Sequence, residues 1–504
     1  VQLNGRQMHL KGIAGVFGLE MEMGEYGEYM QERIDTYASY FTDDDGNLTP
    51  EGKAFLYDEA LNTHSVAEGP TVMLPGGMVD LPAALGVMGG TSYTPPGSRF
   101  TFATNVYAPM MNGVHRAADD PGRYAQERVA FTVITYFSPS MAYEVSDELS
   151  VGLSVNFNYS GMGMELPIRE PHLAFFFLQN PWVVDNFCNG NRGGNDPTIP
   201  ELNICSTVLS PYEELTSLQF EVDQPDAIGY NFGLLWSPRP WVTFGFAYNS
   251  RILASMDGEF NFPVADNFKQ FLVTAMSGGV YTAAVGAVGS IVDLPTAEEI
   301  QNGSKGKLNV TYELPQRLNF GVSLQITPNW KTNVDVRWTE WSAFSDINLN
   351  FSEDSGLLKW GALADAVGNG GANGISGNAV KYRLGLQDVT YWGMGMEYQY
   401  SDRLALRAGF ESRPGAVPKD RPNAFIPIND GNLYSAGFGY DMEGDNHLDV
   451  GFGYFRSKTH YPPCSAVVGN GCDPNQVVYP PYSGQDLTTD VTFFLVEVMY
   501  QKHF

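Results

Sequence analysis

Lys331-Thr332-Asn333-Val334-Asp335-Val336-Arg337-Trp338-Thr339 alternates without a break. Thr332, Val334, Val336 and Trp338 fall on one face of an extended chain; Lys331, Asn333, Asp335, Arg337 and Thr339 fall on the other. The same period of two runs through Val151, Leu153, Val155, Phe157 and Tyr159, through Val242, Phe244, Phe246 and Tyr248, and through Thr492, Phe494, Val496, Val498 and Tyr500 before a terminal Phe504. A soluble sandwich turns its apolar face inward, whereas a membrane barrel turns it to lipid and its polar face to a lumen. Periodicity alone does not separate the two. The connections do. Tight ones at Val145–Leu149, Ser237–Trp241, Thr327–Lys331, Ser401–Leu404 and Glu443–His447 alternate with long ones near 167–217, 258–305, 351–380, 414–431 and 461–489. Short turns at one rim and long loops at the other are the pattern of an outer-membrane barrel. Fourteen candidate strands can be counted, so the expected fold is all-β: one transmembrane, antiparallel, up-and-down barrel over 1–504.

Composition agrees with a barrel. Mean hydropathy is −0.19, and no apolar run approaches the length of a membrane helix. A net charge of −28 over 504 residues argues against a nucleic-acid surface. An acidic exterior suits divalent-cation bridging to outer-membrane lipid and lipopolysaccharide, or simply well-solvated loops. The chain opens directly into a strand-like segment, Gln7–Gly18, with no signal peptide ahead of it.

Cysteines fall as two local pairs, Cys188 with Cys205 and Cys464 with Cys472, all in long connections. Even numbers at short spacing suit disulfides in an oxidising compartment, hence loops outside the cell. Closing the larger loop contributes roughly 3 kcal/mol in the chain-entropy model. Residues 24–65 form an insertion with helical character at Tyr26–Tyr40 and Pro50–Leu61. Between these, Thr42–Glu51 holds Asp43 and Asp45 around Gly46, a weak calcium candidate whose spacing departs from an EF-hand; an acidic helix-capping turn is the simpler reading. No other cofactor is implied. None of the seven histidines sits in a catalytic motif and no G-x-S-x-G occurs, so no enzyme is expected.

Leu314-Pro315, Trp330 after a tight turn, and Arg337-Trp338-Thr339-Glu340-Trp341-Ser342-Ala343-Phe344 together resemble the FadL-type outer-membrane transporters. The run Gly409–Pro418, then Ile426-Pro427 and Leu433–Gly437, resembles that family's later strands. The resemblance spans roughly 65–504. It implies a monomeric 14-stranded barrel, integral to the outer membrane of a Gram-negative bacterium, that passes long-chain fatty acids or hydrocarbons. The family's small periplasm-side hatch carries an Asn-Pro-Ala motif, which is not found before the first strand here.

Two loops are too apolar for ordinary extracellular loops. Leu173, Phe175, Phe176, Phe177, Leu178 and Trp182 lie in one; Phe268, Phe271, Leu272 and Tyr281 lie in the other. They form either a structural cap or, as the resemblance implies, a groove that captures hydrophobic solute. At about 0.8 kcal/mol per methylene, six or seven methylenes would give about 5 kcal/mol of gross capture energy. Tyr107, Ala108 and Pro109 leave two readings open. The strand ends at Ala108, or, as the resemblance implies, it kinks at Pro109 and opens the wall sideways. Asp335 and Arg337, with Arg407 and Glu411, are expected to form a charged ladder in the lumen. Passive transport of hydrophobic compounds is the reading these residues favour; a porin for polar solutes and an adhesive or structural surface barrel are the alternatives.

Overall fold

A computed structural model describes residues 5–38, 41–171, 211–269, 296, 298–299, 302–359, 361–362, 375–426, 429–473 and 479–504. The first stave of its wall is β1 (Gly5–Tyr26). Then come helices α1 (Glu28–Ala38) and α2 (Pro50–Leu56) and the short strands β2 (Thr63–Val66), β3 (Thr71–Leu74) and β4 (Gly77–Asp80). β5 (Ala84–Thr94) and β6 (Phe100–His115) are the second and third staves. β7 (Arg128–Phe137) and β8 (Ser140–Ser146) share the fourth; β9 (Leu149–Ile168) and β10 (Thr216–Arg239) are the fifth and sixth.

Each of the next four staves is built in two pieces: β11 (Val242–Asn249) with β12 (Ile252–Phe262), β13 (Ser304–Leu314) with β14 (Arg317–Thr327), β15 (Trp330–Thr339) with β16 (Asp346–Phe351), and β17 (Ala379–Arg383) with β18 (Val389–Gln399). β19 (Leu404–Arg413), β20 (Gly431–Asp441), β21 (Asn446–Tyr461) and β22 (Gln485–His503) complete the set. β22 pairs with β1 from Gln7↔His503 to Tyr26↔Gln485, so the 14-stranded antiparallel wall closes on itself. Closure pairs the first stave with the last, which is why a single sheet this large is stable in hydrocarbon.

Local chemistry sets several boundaries differently from the sequence reading. β1 runs to Tyr26 rather than stopping at Gly18, because Leu19, Met21 and Met23 keep turning inward and are buried. α1 begins at Glu28 rather than Tyr26. α2 starts where expected, with the Thr49 hydroxyl accepting from Gly52 N at 3.1 Å and Pro50 at the first position. It ends at Leu56 rather than Leu61, since Asp58 turns aside and accepts from Ala60 N. Between the helices, Asp43 accepts from Asp45 N (3.0 Å) and Asn47 N (2.8 Å), which satisfies the turn internally. Among the described residues no group of three or more acidic, histidine or cysteine side chains is placed to hold a metal.

β6 does not end at Ala108. It runs through Pro109 to His115, and the proline, which has no N–H to donate, sits in a bulge where Tyr107↔Thr135 is followed by Met110↔Val133.

The faces of the wall exchange polarity part-way up. In the periplasmic half Val334, Val336, Phe320, Met394, Met396 and Leu406 face outward and are exposed. The lumen there carries ion pairs: Lys11–Glu497 at 2.6 Å, Arg337–Glu411 at 3.3 Å and Arg407–Glu397 at 2.7 Å. In the extracellular half the apolar side chains turn in. Val222, Ala254, Met256, Leu308, Val310 and Tyr312 are at most 2 % exposed, while Glu221, Asp257, Glu259 and Lys307 occupy the opposite face of the same strands.

On β1 and β22 the exchange follows from the sequence pattern alone, with Val16 and Phe494 exposed and Leu19 and Val491 buried on a continuous register; on other staves it coincides with breaks at one level. On β10 the register with β9 shifts between Gln224 and Ala227; on the next three staves 250–251, 315–316 and 340–345 interrupt the strand. One extra residue reverses which parity of the sequence faces inward. Even-numbered Phe244 and Phe246 therefore lie outside, whereas even-numbered Met256 and Phe260 lie inside.

Candidate functional site

Apolar side chains from staves that are not neighbours meet across the extracellular lumen. The Phe131 ring lies 5.0 Å from Tyr312 and 5.5 Å from Phe344. β7 and β13 belong to the fourth and eighth staves, so these rings touch only through the interior. Around them the buried cluster includes Val133, Met162, Phe220, Phe260, Leu349 and Phe351. The upper lumen is thus filled by packed aromatic, aliphatic and methionine side chains, while the lower lumen is ionic.

At the level where the two zones meet, the wall is incomplete. β5 pairs with β6 only from Gly89↔Val106 to Tyr93↔Phe102. Above that, Ala84–Met88 pairs only with β1, and Tyr107–Val114 only with β7. Leu85 and Val87 on this free edge are 54 % and 73 % exposed, so the edge lies on the lipid side of the wall. The unpaired stretch of β5 is roughly 15 Å long at about 3.3 Å per residue. Further up the gap is closed again. β2 pairs with β1, Ala67 N donates to Leu19 O at 2.9 Å, and Glu68 N donates to His115 O at 2.9 Å. The result is a framed window beside Tyr107, Ala108 and Pro109, with the bulge on its edge. A cavity of about 150 Å3 lies at the same level and is lined by Tyr107, Pro109, Met110, Asn158, Asn249 and Arg317, among others.

A larger concavity of about 960 Å3 borders Glu165, Glu221, Glu259 and Lys307 on the outer face. It is open and charged and lies off the lumen, so the smaller cavity is the one on an apolar route. The β3–β4 hairpin also sits on that outer face. Met73 N donates to Thr132 Oγ1 at 2.9 Å and Met78 N to Glu221 Oε1 at 3.0 Å. Cβ atoms at Gly161 and Gly163 would meet Met73 and Met78 within 2.7 Å, so both positions require glycine for the hairpin to dock.

Above the wall a buried ion pair joins the loops. Arg169 Nη1 and Nη2 donate to the Asp58 carboxylate at 2.9 and 2.5 Å, and both side chains are fully buried. Arg169 Nε donates to Pro481 O, Gln485 Nε2 donates to Asp58 Oδ2, and the Tyr124 ring lies 4.0 Å from the guanidinium. Burial alone would depress the Arg169 pKa, but the Asp58 charge outweighs it and raises it. Burial, then the same Asp58 charge, pushes the Tyr26 phenol up to about 12. Nothing in the sequence announced this pair, whose members lie 111 residues apart. A disulfide joins Cys464 to Cys472 nearby.

The sequence-predicted residues are only partly brought together. Arg337 meets Glu411 as expected, but Arg407 turns instead to Glu397 and Asp449, and Asp335 stands apart from both pairs. Phe268 is half-buried just beyond β12. Leu173, Phe175, Phe176, Phe177, Leu178, Trp182, Phe271, Leu272 and Tyr281, and the Cys188–Cys205 pair, lie outside the described residues.

Comparison with known proteins decides the family. The model described as "Outer membrane protein transport protein (OMPP1/FadL/TodX)" matches residues 56–462. The chain belongs to this family. It is therefore an integral outer-membrane protein of a family described as transport proteins. Within the OMPP1/FadL/TodX family, an Escherichia coli long-chain fatty acid transport protein is 23% identical over 231 residues, 46% of this chain and 42% of that protein. Outer membrane protein P1 of Haemophilus influenzae is 21% identical over 321 residues, 63% and 55%. The chain thus spans about half the length of the curated relatives it matches.

Among solved structures, a Pseudomonas aeruginosa FadL homologue superposes with a TM-score of 0.61 at 16% identity, covering 99% of this chain and 90% of that one. The toluene transporter TodX of Pseudomonas putida gives 0.55 at 13%, covering 100% and 91%. At these identities the likeness is one of fold.

Proposed function

We propose that this barrel passes hydrophobic compounds, long-chain fatty acids or hydrocarbons, from the cell exterior into the outer membrane without an energy source. The observation that carries the reading is the coincidence of two features at one level: the apolar lumen ends where the wall opens toward lipid. A solute that has moved down among Met256, Val310 and Phe131 gains about 25 cal/mol for each Å2 of apolar surface kept from water. Entering the ionic lower lumen would forfeit that gain. Leaving sideways past Tyr107, Ala108 and Pro109 keeps it. Capture would begin at the apolar loops around 171–184 and 268–292.

The cross-lumen contacts of Phe131 work against a general porin, because a water-filled channel is not sealed by touching aromatic rings. Uptake of labelled oleate and labelled toluene by cells lacking their own such transporter, with and without this protein, tests the proposal. Uptake of either above background is expected. No uptake of either, with the barrel verified in the outer membrane and carrying a steady ionic conductance, would replace the proposal with a polar porin.

A further inference from the structure

The second stave of the wall is built from two pieces of chain that are not consecutive. Below, β5 lies between β1 and β6 and pairs with β1 from Gly5↔Thr94 to Gly15↔Ala84. Above, residues 63–69 take its place. β2 pairs with β1 through Glu20↔Val66, Glu68 N donates to His115 O at 2.9 Å, and His115 N donates to Gly69 O at 3.1 Å. Between the two pieces the chain leaves the wall, folds the β3–β4 hairpin on its outer face and returns at Ala84. The opening beside Pro109 is therefore a slit between the second stave and β6 that is tied at both ends, by Gly89↔Val106 below and by Gly69↔His115 above.

Each tie holds its two chains at one strand spacing, about 4.8 Å. The bow of β6 between the ties sets the width. The bulge at Pro109 supplies that bow, because one extra residue makes β6 longer than the edge it faces.

The upper tie is reinforced from outside. Thr71 crosses β6 so closely that a Cβ at Gly113 would collide with its carbonyl oxygen. The His115 ring nitrogen Nδ1 lies 3.2 Å from Thr71 Oγ1, which donates to Asp80 Oδ1 at 2.7 Å. Arg128 on β7 donates from Nε to the same Asp80 oxygen at 2.9 Å and from Nη2 to Met78 O at 3.0 Å. Hairpin, crossing segment and wall are thus fastened together.

A slit with fixed ends is long and thin. An unbranched methylene chain is about as thick as one strand spacing, and a single flat ring can pass edge-on. A cage-shaped hydrocarbon has no thin direction and would have to break the upper tie. We infer that residues 67–71 are a strap that fixes the width of the lateral opening, so that this barrel passes chains and flat rings and holds back globular hydrocarbons. Glu68 and Gly69 are positioning residues, which act on the solute through β6. The inference rests on lateral exit being the transport route.

Barrel-dependent uptake of labelled hexadecanoate, and of hexadecanoate carrying an adamantyl cage on its last carbon, by de-energised transporter-deficient cells tests it. Glu68→Pro removes the donor to His115 O, and Glu68→Gln keeps it. A third variant lacks Thr71–Asp80, whose flanking residues are already joined by Leu81 N donating to Pro70 O. Each protein is checked for the heat-modifiable gel migration of a closed barrel. Wild type and Glu68→Gln should take up the plain acid about tenfold faster than the caged one. Glu68→Pro and the hairpin deletion should each raise caged uptake about fivefold with hexadecanoate uptake unchanged. A folded variant of either kind that keeps the wild-type ratio overturns the strap, as does a parallel fall of both solutes. Equal uptake of both acids by wild type overturns the width limit alone, whereas uptake of neither overturns the transport reading beneath it.

Discussion

The extracellular and periplasmic halves of this barrel use the same strands with opposite polarity. Below the breaks, Val334 and Phe320 face lipid and Arg337 faces the lumen; above them, Val310 and Met256 face the lumen and Lys307 and Glu259 face water. The solvent outside explains the difference. A strand in hydrocarbon must put its apolar face outward, and a strand that has risen beyond the headgroups must hide it. The upper half is therefore built like a small soluble core, and the lower half like a membrane protein. Extra residues at 225–226, 250–251 and 315–316 reverse the faces on three staves, and on β1 and β22 the order of apolar and polar residues does the same without one. Stability and transport should consequently respond to different halves.

The largest effect should follow from moving residues between faces in the upper half. Deleting Thr311 in mid-β13 turns Val310 and Leu308 outward and carries Lys307 and Asn309 into the apolar lumen. Loss of the heat-modifiable band in outer-membrane fractions is the expected result, because a charge buried without a partner costs several kcal/mol. A normal yield of folded barrel would mean that the two faces are interchangeable. Next in size is Asp58→Asn, which leaves the Arg169 cation buried without its anion. Breaking such a pair costs about 3–5 kcal/mol, while Asp58→Leu with Arg169→Met should cost less than the single change. Thermal melting of the gel-shifted form and protease cutting of the extracellular face read both variants. The smallest effect belongs to the lower lumen. Arg337→Gln removes a partly hydrated ion pair and should stay within about 1 kcal/mol of wild type in urea unfolding. A cost comparable to Asp58→Asn would show that the ionic zone, too, behaves as a core.

Much of this was readable from the sequence where the strands are regular. Residues 331–339 and 242–248 face as their alternation says, and the tight turns expected at 327–331 and 443–447 are found within a residue or two of those bounds, between Thr327 and Trp330 and between Asp441 and Asn446. The exchange of faces was not readable. Within β10, Phe220 and Val222 point inward and Ile228 and Tyr230 outward although all four are even-numbered; the signal separating them is one added residue beside Pro225. Arg169 and Asp58 carried no mark, because a buried pair is defined by a fold that brings distant segments together. Pro109 did carry one. Its missing N–H announced a disturbance, but only the pairing of Tyr107 and Met110 with β7 shows a strand that bulges and continues.

That bulge offers the most direct test of lateral exit. Deleting Pro109 removes the extra residue while leaving Tyr107 and Met110 facing the lumen, so β6 can extend its ladder along Ala84–Met88 of β5 and seal the window. The barrel should still assemble. Uptake of labelled oleate by transporter-deficient cells is expected to fall at least tenfold with the variant relative to wild type, at equal amounts of folded protein. Undiminished uptake through a sealed wall would contradict lateral exit and return the route to the lower lumen.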